Sequence, residues 1–228
     1  MIDDLICSLE LDREPRIPIP PSEPDDFVYK ITGRVLCGTL HEGKDRLAGR
    51  FRTYYVDFAT GANYGYSARD VLDAYSDTYA YAEVLLGRSD DPFSHQLETL
   101  LGFEIWNPNF LVLDRVELLP PYRGRDVGLL TILSLMERFA AGAGVVGMKP
   151  FPLQFEPEPR GSHTAWQKRL QLRKLSRDQR HSTEKLQTHY ARLGFVSLPR
   201  TPFMFRSESW RLPTAEDLMS GNRREQAE

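Results

Sequence analysis

Phe110-Leu111-Val112-Leu113-Asp114-Arg115-Val116-Glu117-Leu118-Leu119 runs directly into Pro120-Pro121-Tyr122-Arg123-Gly124-Arg125-Asp126-Val127-Gly128-Leu129. The first ten residues are dense in large apolar side chains and read as a strand, which the two prolines must end because proline cannot donate to a ladder. Beyond the turn, Val127, Leu130, Leu133, Met136, Phe139 and Ala140 recur at three- and four-residue steps, the period of a helix over 126–140, and Gly142 and Gly144 follow its end. Residues 145–149 are then a short buried strand. Strand, glycine-bearing turn, helix and strand make a βαβ unit whose turn lies at the carboxyl end of the first strand. Such a turn leaves several backbone N–H groups pointing into one hollow, which attracts phosphate, and Arg123 and Arg125 add charge that does not titrate away.

Upstream of this unit, residues 27–37 and 47–58 are rich in Val, Ile, Tyr, Phe and Thr and flank turn-forming residues at 38–44, so they read as a hairpin. Val71, Leu72, Tyr75, Tyr79, Ala82, Leu85 and Leu86 have helical spacing over 68–86, and a shorter helix is expected over 94–101. Tyr54, Tyr55, Tyr64, Tyr66, Tyr75, Tyr79 and Tyr81 fall in this half; they line an acceptor pocket or pack a sheet against a helix. Downstream, seven bases between Arg160 and His181 stand against one acid, Asp178, and read as an inserted basic helix. Ser182 or Thr183 is the expected cap of a last helix that runs to Leu193 and is closed by Gly194, before strands at 195–198 and 203–207. No internal repeat is present.

A second segment, Glu184-Lys185-Leu186-Gln187-Thr188-His189-Tyr190-Ala191-Arg192-Leu193-Gly194-Phe195, complements the first. Together the two resemble the GNAT superfamily of acetyl-CoA-dependent N-acetyltransferases, in which a Val-x-Pro-x-Tyr-Arg-Gly-x-Gly-x-Gly segment precedes a Tyr-x-x-x-Gly-Phe helix end. Here the motifs fall at 118–128 and 190–195, and the resemblance covers about 110–205; the first half has its hairpin before its helices, the reverse of the family's usual order. The resemblance implies an α/β fold, a GNAT-like mixed twisted β-sheet with helices on both faces and a V-shaped opening. It implies that acetyl-CoA is the co-substrate, with no metal, and that the acetyl group passes to an amine acceptor by direct attack in a ternary complex. By position, the backbone N–H groups of Arg125, Val127, Gly128 and Leu129 would hold the diphosphate, with Arg123 adding charge and Gly124 permitting close approach. Val116 and Leu118 would pair with the pantetheine arm. Tyr190 would protonate the departing thiolate.

For the base, Asp114 shares strand parity with Val112, Val116 and Leu118, whereas Glu117 has the opposite parity unless a bulge re-aims it. The alternative for both acids is a surface charge or a pair with Arg115, and for Tyr190 a core aromatic. Asp126 stands where the family has glycine. It tolerates left-handed backbone, and its carboxylate is expected to fold onto the first helical turn as a cap, away from a diphosphate. Thr183 stands where many members carry asparagine. Among the histidines, His163, His181 and His189 lie near the second motif.

Composition bounds the rest. The 228 residues are 41% hydrophobic and 27% charged with a net charge of −3, so a sizeable core is available and the chain as a whole lacks a nucleic-acid binder's charge. No apolar run approaches a membrane span. Met1-Ile2-Asp3-Asp4 lacks the bases of a secretory signal, so a cytoplasmic location is expected, with Cys7 and Cys37 as two reduced thiols. The expected organisation is an acidic, Pro-rich arm over 1–26, one acyltransferase domain over 27–207 with the basic insertion at 160–181, and a polar, frayed tail over 208–228. The arm holds eight acids and two arginines, so it would pair with the basic stretch; a second reading gives that stretch to nucleic acid. The acceptor's identity and the oligomeric state are not legible. The competing function is a non-enzymatic module of the same fold that binds a partner through the basic helix or the Tyr-rich half.

Overall fold

The computed structural model describes residues 5–12, 18–39, 44–86, 92–157 and 164–219. Alternating apolar positions pair β2 (Val28–Thr39) with β3 (Arg46–Val56) antiparallel, and β3 with β4 (Phe110–Leu118) in the same sense. β5 (Val145–Met148) runs parallel to β4, as a βαβ unit requires, and β7 (Met204–Ser207) and β6 (Val196–Ser197) follow antiparallel. With β1 (Leu5–Leu11) on β2, the mixed sheet has the order β1-β2-β3-β4-β5-β7-β6, and the fold is α/β.

The sheet separates two cores. On one face Tyr54, Val56, Phe110 and Val112 pack beneath α1 (Phe58–Asn63), α2 (Ala68–Leu72), α3 (Ser76–Tyr79), α4 (Ala82–Leu85) and α5 (His95–Leu101). On the other, Phe51, Leu111, Leu113 and Val146 meet Val127, Leu129, Ile132, Leu133 and Met136 of α6 (Val127–Phe139). Most of the Tyr-rich segment belongs to the first core: Tyr81 is buried against Phe110, Phe203 and Phe205, and Tyr54 packs on Tyr75.

Several expectations require correction. The helix read over 68–86 is three short helices, because the Thr78 hydroxyl donates to the carbonyls of Leu72 and Tyr75 and diverts the backbone ladder. The basic stretch is not one helix: α7 (Ala165–Leu170) stops at Gln171, whose φ is 49°, and a 3-10 turn at Leu172–Lys174 precedes α8 (Gln179–Ala191). The cap of α8 is Asp178, which accepts from the His181 N–H at 3.0 Å, rather than Ser182 or Thr183. Part of the acidic arm is the edge strand β1, whose Glu10 pairs with Arg34 at 2.9 Å and whose neighbour Asp12 accepts from Thr32. Cys7 and Cys37 face each other across β1 and β2 and are joined as a disulfide, not two separate thiols. In the segment expected to be a frayed tail, Leu218 is buried in the second core. His163, the turn residues 40–43 and residues 220–228 lie outside the described residues. No helix among the described residues is long and apolar enough to cross a membrane.

Candidate functional site

β4 is paired on both sides only at its start. Its ladder with β5 ends at Leu113 opposite Met148, while the ladder with β3 continues to Leu118 opposite Gly49. The two parallel strands therefore part beyond Leu113. Alternate residues of an antiparallel strand point their N–H and C=O to opposite sides, and Leu119 donates to Ala48 beside β3. Val116 and Leu118 thus turn their backbone groups away from β3 and into the opening.

The register also slips where the strands part: Arg52 pairs with Arg115 and Thr53 with Leu113, which leaves Asp114 as a bulge. Its effect is large because side-chain alternation has period two. Val116 and Leu118 return to the α6 face, where they pack against the second core. Asp114 stays on the face of Val112, and Glu117, paired in register with Arg50, joins it there. The simple parity count, which put Glu117 opposite Asp114, is corrected by this one residue.

The opening continues as a cavity of about 980 Å³. Its walls are β4 from Leu113 to Leu118, the turn and the start of α6, the residues after β5 (Lys149 to Gln154), the stretch around Leu170 to Ser176, and α8 from His181 to Arg192. Asp114, Val116, Leu118, Arg123, Gly124, Asp126, Val127, Gly128 and Tyr190 all line it; Glu117, Arg125, Leu129 and Thr183 do not. His181 and His189 lie on its α8 wall.

At the start of α6, the N–H of Leu130 is bonded to the Asp126 carbonyl. The N–H groups of Arg125, Val127, Gly128 and Leu129 have no acceptor among the described residues, as first-turn donors of a helix do. Gly124 has φ +68° with nothing within 4 Å of where a Cβ would lie, so open space faces the turn. Asp126 does adopt the left-handed conformation, with φ 53°, but its carboxylate makes no cap bond. Instead Arg192 Nη1 and Nη2 hold it at 2.8 and 3.3 Å, and Arg192 also donates to the Leu218 carbonyl. Only 5% of the Asp126 side chain is exposed. The charge that would repel an anion here is therefore neutralised by a side chain two residues beyond Tyr190. Arg192 stood inside the second motif, but the sequence offers no sign that its partner lies 66 residues earlier.

The arginines of the turn differ from expectation. Arg123 Nε donates to the Leu118 carbonyl at 2.9 Å and its Nη2 to the Leu170 carbonyl at 2.6 Å, tying the strand end to α7, and burial lowers its pKa. Its role here is chiefly that of a latch. Arg125 is exposed and free of carboxylates among the described residues. Leu129 is a core residue, although its N–H remains at the helix start.

Asp114 accepts from Arg52 Nε at 2.5 Å, Arg52 Nη2 reaches Asp77 at 3.0 Å, and the Tyr54 hydroxyl donates to Asp77 at 2.8 Å. Burial raises the Asp114 pKa above the ordinary carboxylate value, against the opposing pull of Arg52. Glu117 is held by Arg115 at 3.1 Å and by the Trp166 indole N–H at 2.5 Å, and Arg115 is also paired with Glu156. Glu117 is thus a structural anchor for α7. The Tyr190 hydroxyl has no hydrogen-bond partner among the described residues, and burial pushes its pKa up to about 12. A phenol in that state is neutral and has a proton to give. Thr183, off the cavity, donates to Gln179 within α8. No group of three potential metal-ligating side chains occurs among the described residues.

The chain matches no protein-family model, no curated protein and no solved structure.

Proposed function

We propose that the chain is an N-acetyltransferase of the GNAT type that binds acetyl-CoA in the cavity between β4 and β5 and passes the acetyl group to an amine. The observation that carries this reading is the coincidence, in one cavity, of a β4 edge without a strand partner and the unpaired N–H groups of the α6 start. A strand edge without a ladder partner, engaged by Arg123 at the Leu118 carbonyl, suits the amides of a pantetheine arm, and a helix start suits a diphosphate. The Asp126–Arg192 pair supports it further, because it neutralises the carboxylate at the helix start that would otherwise oppose a phosphate.

Acetyl-CoA supplies the activated thioester. In this reading the N–H groups of Val127 and Gly128, the two of the four that line the cavity, hold the phosphates, and Val116 and Leu118 orient the arm beside Tyr190. Tyr190 keeps its phenolic proton at any physiological pH and gives it to the leaving sulfur. Asp114, whose carboxylate stands at the parting of the strands, takes a proton from the incoming amine. The apolar walls from Leu113, Ile132 and Met148 exclude water from the thioester.

Calorimetric titration with acetyl-CoA tests the reading: saturable binding in the micromolar range followed by turnover with an amine is expected. Absence of binding at millimolar acetyl-CoA would reject it. Binding without turnover on any amine would leave the non-enzymatic module in its place.

A further inference from the structure

The segment that walls the cavity also carries a concentration of exposed positive charge. Lys168, Arg169, Arg173, Lys174, Arg177, Arg180 and Lys185 are exposed, against Asp178 and Glu184 alone between residues 164 and 185. Asp178 caps α8 and Glu184 is paired with Arg180. Lys168, Lys174, Arg177 and Lys185 have no carboxylate partner among the described residues, whereas the sheet's Arg34, Arg52 and Arg115 all do. On a chain of net charge −3 this is segregation, not average composition.

The same segment is amphipathic with respect to the cavity. Leu170, Leu172 and Leu175 line the hollow, whereas Arg173 and Lys174 between them are exposed and off its lining. No apolar side is left to enter a bilayer, as an interfacial helix needs, so the surface suits a polyanion in water. The strap is also fixed in place. Trp166 lies under Arg50 at 4.3 Å and donates to Glu117, and Arg123 holds the Leu170 carbonyl.

The amine chemistry narrows the polyanion. Glu117 is held by Arg115 and Trp166, and Asp114 is tied to Arg52, so both carboxylates weighed as the base are already engaged with a cation and an incoming amine gains if it is largely free base on arrival. An α-amino group, with a pKa of about 7.7–8.0, offers roughly 300-fold more free base near neutrality than a lysine ε-amine at about 10.4. A nucleic acid that carries such an amine is an RNA bearing an aminoacyl ester. We propose that the strap over 164–185 docks RNA and brings an RNA-borne α-amine to the cavity. The amine step rests on the acetyl-transfer reading; the docking does not. In the step, the amine nitrogen bonds to the acetyl carbon of acetyl-CoA and the C–S bond breaks. The ammonium proton passes to Asp114 or water, and the thiolate takes the Tyr190 proton.

The test is fluorescence anisotropy of the full chain with a labelled, deacylated transfer-RNA-sized hairpin RNA at 50 and 200 mM KCl, without acetyl-CoA. About four phosphate contacts would make affinity fall by roughly 10²-fold between the two salts. The triple variant Lys168→Gln, Lys174→Gln, Arg177→Gln should bind at least tenfold more weakly at 50 mM, with its thermal midpoint and acetyl-CoA affinity unchanged. Undetectable RNA binding at 50 mM, equal binding by the variant, or tighter binding of a polyglutamate chain overturns the docking. A matching loss of acetyl-CoA affinity in the variant also overturns it, since the cations would then serve the cofactor's own phosphates. With acetyl-CoA added, aminoacylated RNA should yield an N-acetyl aminoacyl ester by mass spectrometry. If acetyl-CoA binds and no such ester forms, the amine half is overturned; if acetyl-CoA does not bind, the transferase reading fails while RNA binding is judged separately.

Discussion

Tyr190 and Arg192 stand two residues apart on the wall of the cavity, and each has one physical task. For Tyr190 the task is to keep a proton. With its pKa near 12, the phenol is neutral below about pH 11, so an alkaline loss of turnover near pH 10 would belong to another group. The same shift bears on stability: the raised pKa contributes stability that is complete below pH 10 and is lost as pH rises from there through about 12. Tyr190→Phe should lower kcat by about 10²-fold or more while the acetyl-CoA Kd, read by calorimetry, stays within threefold. An unchanged kcat would remove Tyr190 from the mechanism. For Arg192 the task is neutralisation. Arg192→Gln leaves the Asp126 carboxylate buried without its partner, at an expected cost of about 2–4 kcal/mol in stability and at least tenfold in acetyl-CoA affinity. Adding Asp126→Gly removes the stranded charge, and glycine accepts φ 53° without strain, so the double variant should recover most of the affinity. A double variant no better than the single would show that Arg192 acts on something other than Asp126.

At the scale of elements, β4 and α6 make the opening, and two glycines probe it from opposite sides. A Cβ on Gly49 would lie 2.3 Å from the Glu117 carbonyl, backbone that cannot swing away, so β3 must shift off β4 beside the opening. Gly49→Ala should cost about 1–3 kcal/mol, read as a lower denaturant midpoint. A Cβ on Gly128 would meet only Leu118 Cδ1 at 3.6 Å, an ordinary contact. Gly128→Ala should therefore gain up to about 1 kcal/mol of helix stability while weakening acetyl-CoA binding severalfold, because the methyl crowds the approach to the helix start. Equal affinity would mean that no ligand comes close there. The β4–turn–α6–β5 unit was legible because its signals are local: two prolines end the strand and a 3.6-residue period follows. A bulge was weighed in the sequence only through the resemblance, and its place was not legible, since it depends on how Arg52 and Thr53 of β3 pair with β4, and a single extra residue reverses every side-chain direction after it. β1 was hidden for a different reason. Its acids resemble those of a solvated arm, and only Thr32 and Arg34, 20 and 24 residues away from their partners, make them compatible with a strand.

Across the whole molecule the sheet divides its tasks along its width. The two cores meet it on opposite faces, the cavity opens near its middle where β4 leaves β5, and β1 forms one edge with Cys7 and Leu9 packed against the second core. Strands β2 and β3 separate β1 from β4, and no residue of β1 lines the cavity. Stability contributed at that edge should therefore be independent of binding at the centre. The Cys7–Cys37 disulfide closes a loop of 30 residues in the chain, which restricts the unfolded state by an amount worth about 3–4 kcal/mol in the chain-entropy account. For a chain of this size that corresponds to a thermal midpoint lower by roughly 7–14 °C once the bond is opened. Reduced protein and Cys7→Ser should melt together, below the oxidised protein, and all three should bind acetyl-CoA within a factor of two. Cys7 is the better choice for substitution because Cys37 is buried, where a hydroxyl would add its own cost. If reduction leaves the midpoint where it was, the bond does not hold the edge, and the cross-strand pairs of Glu10 with Arg34 and Asp12 with Thr32 must secure β1 unaided.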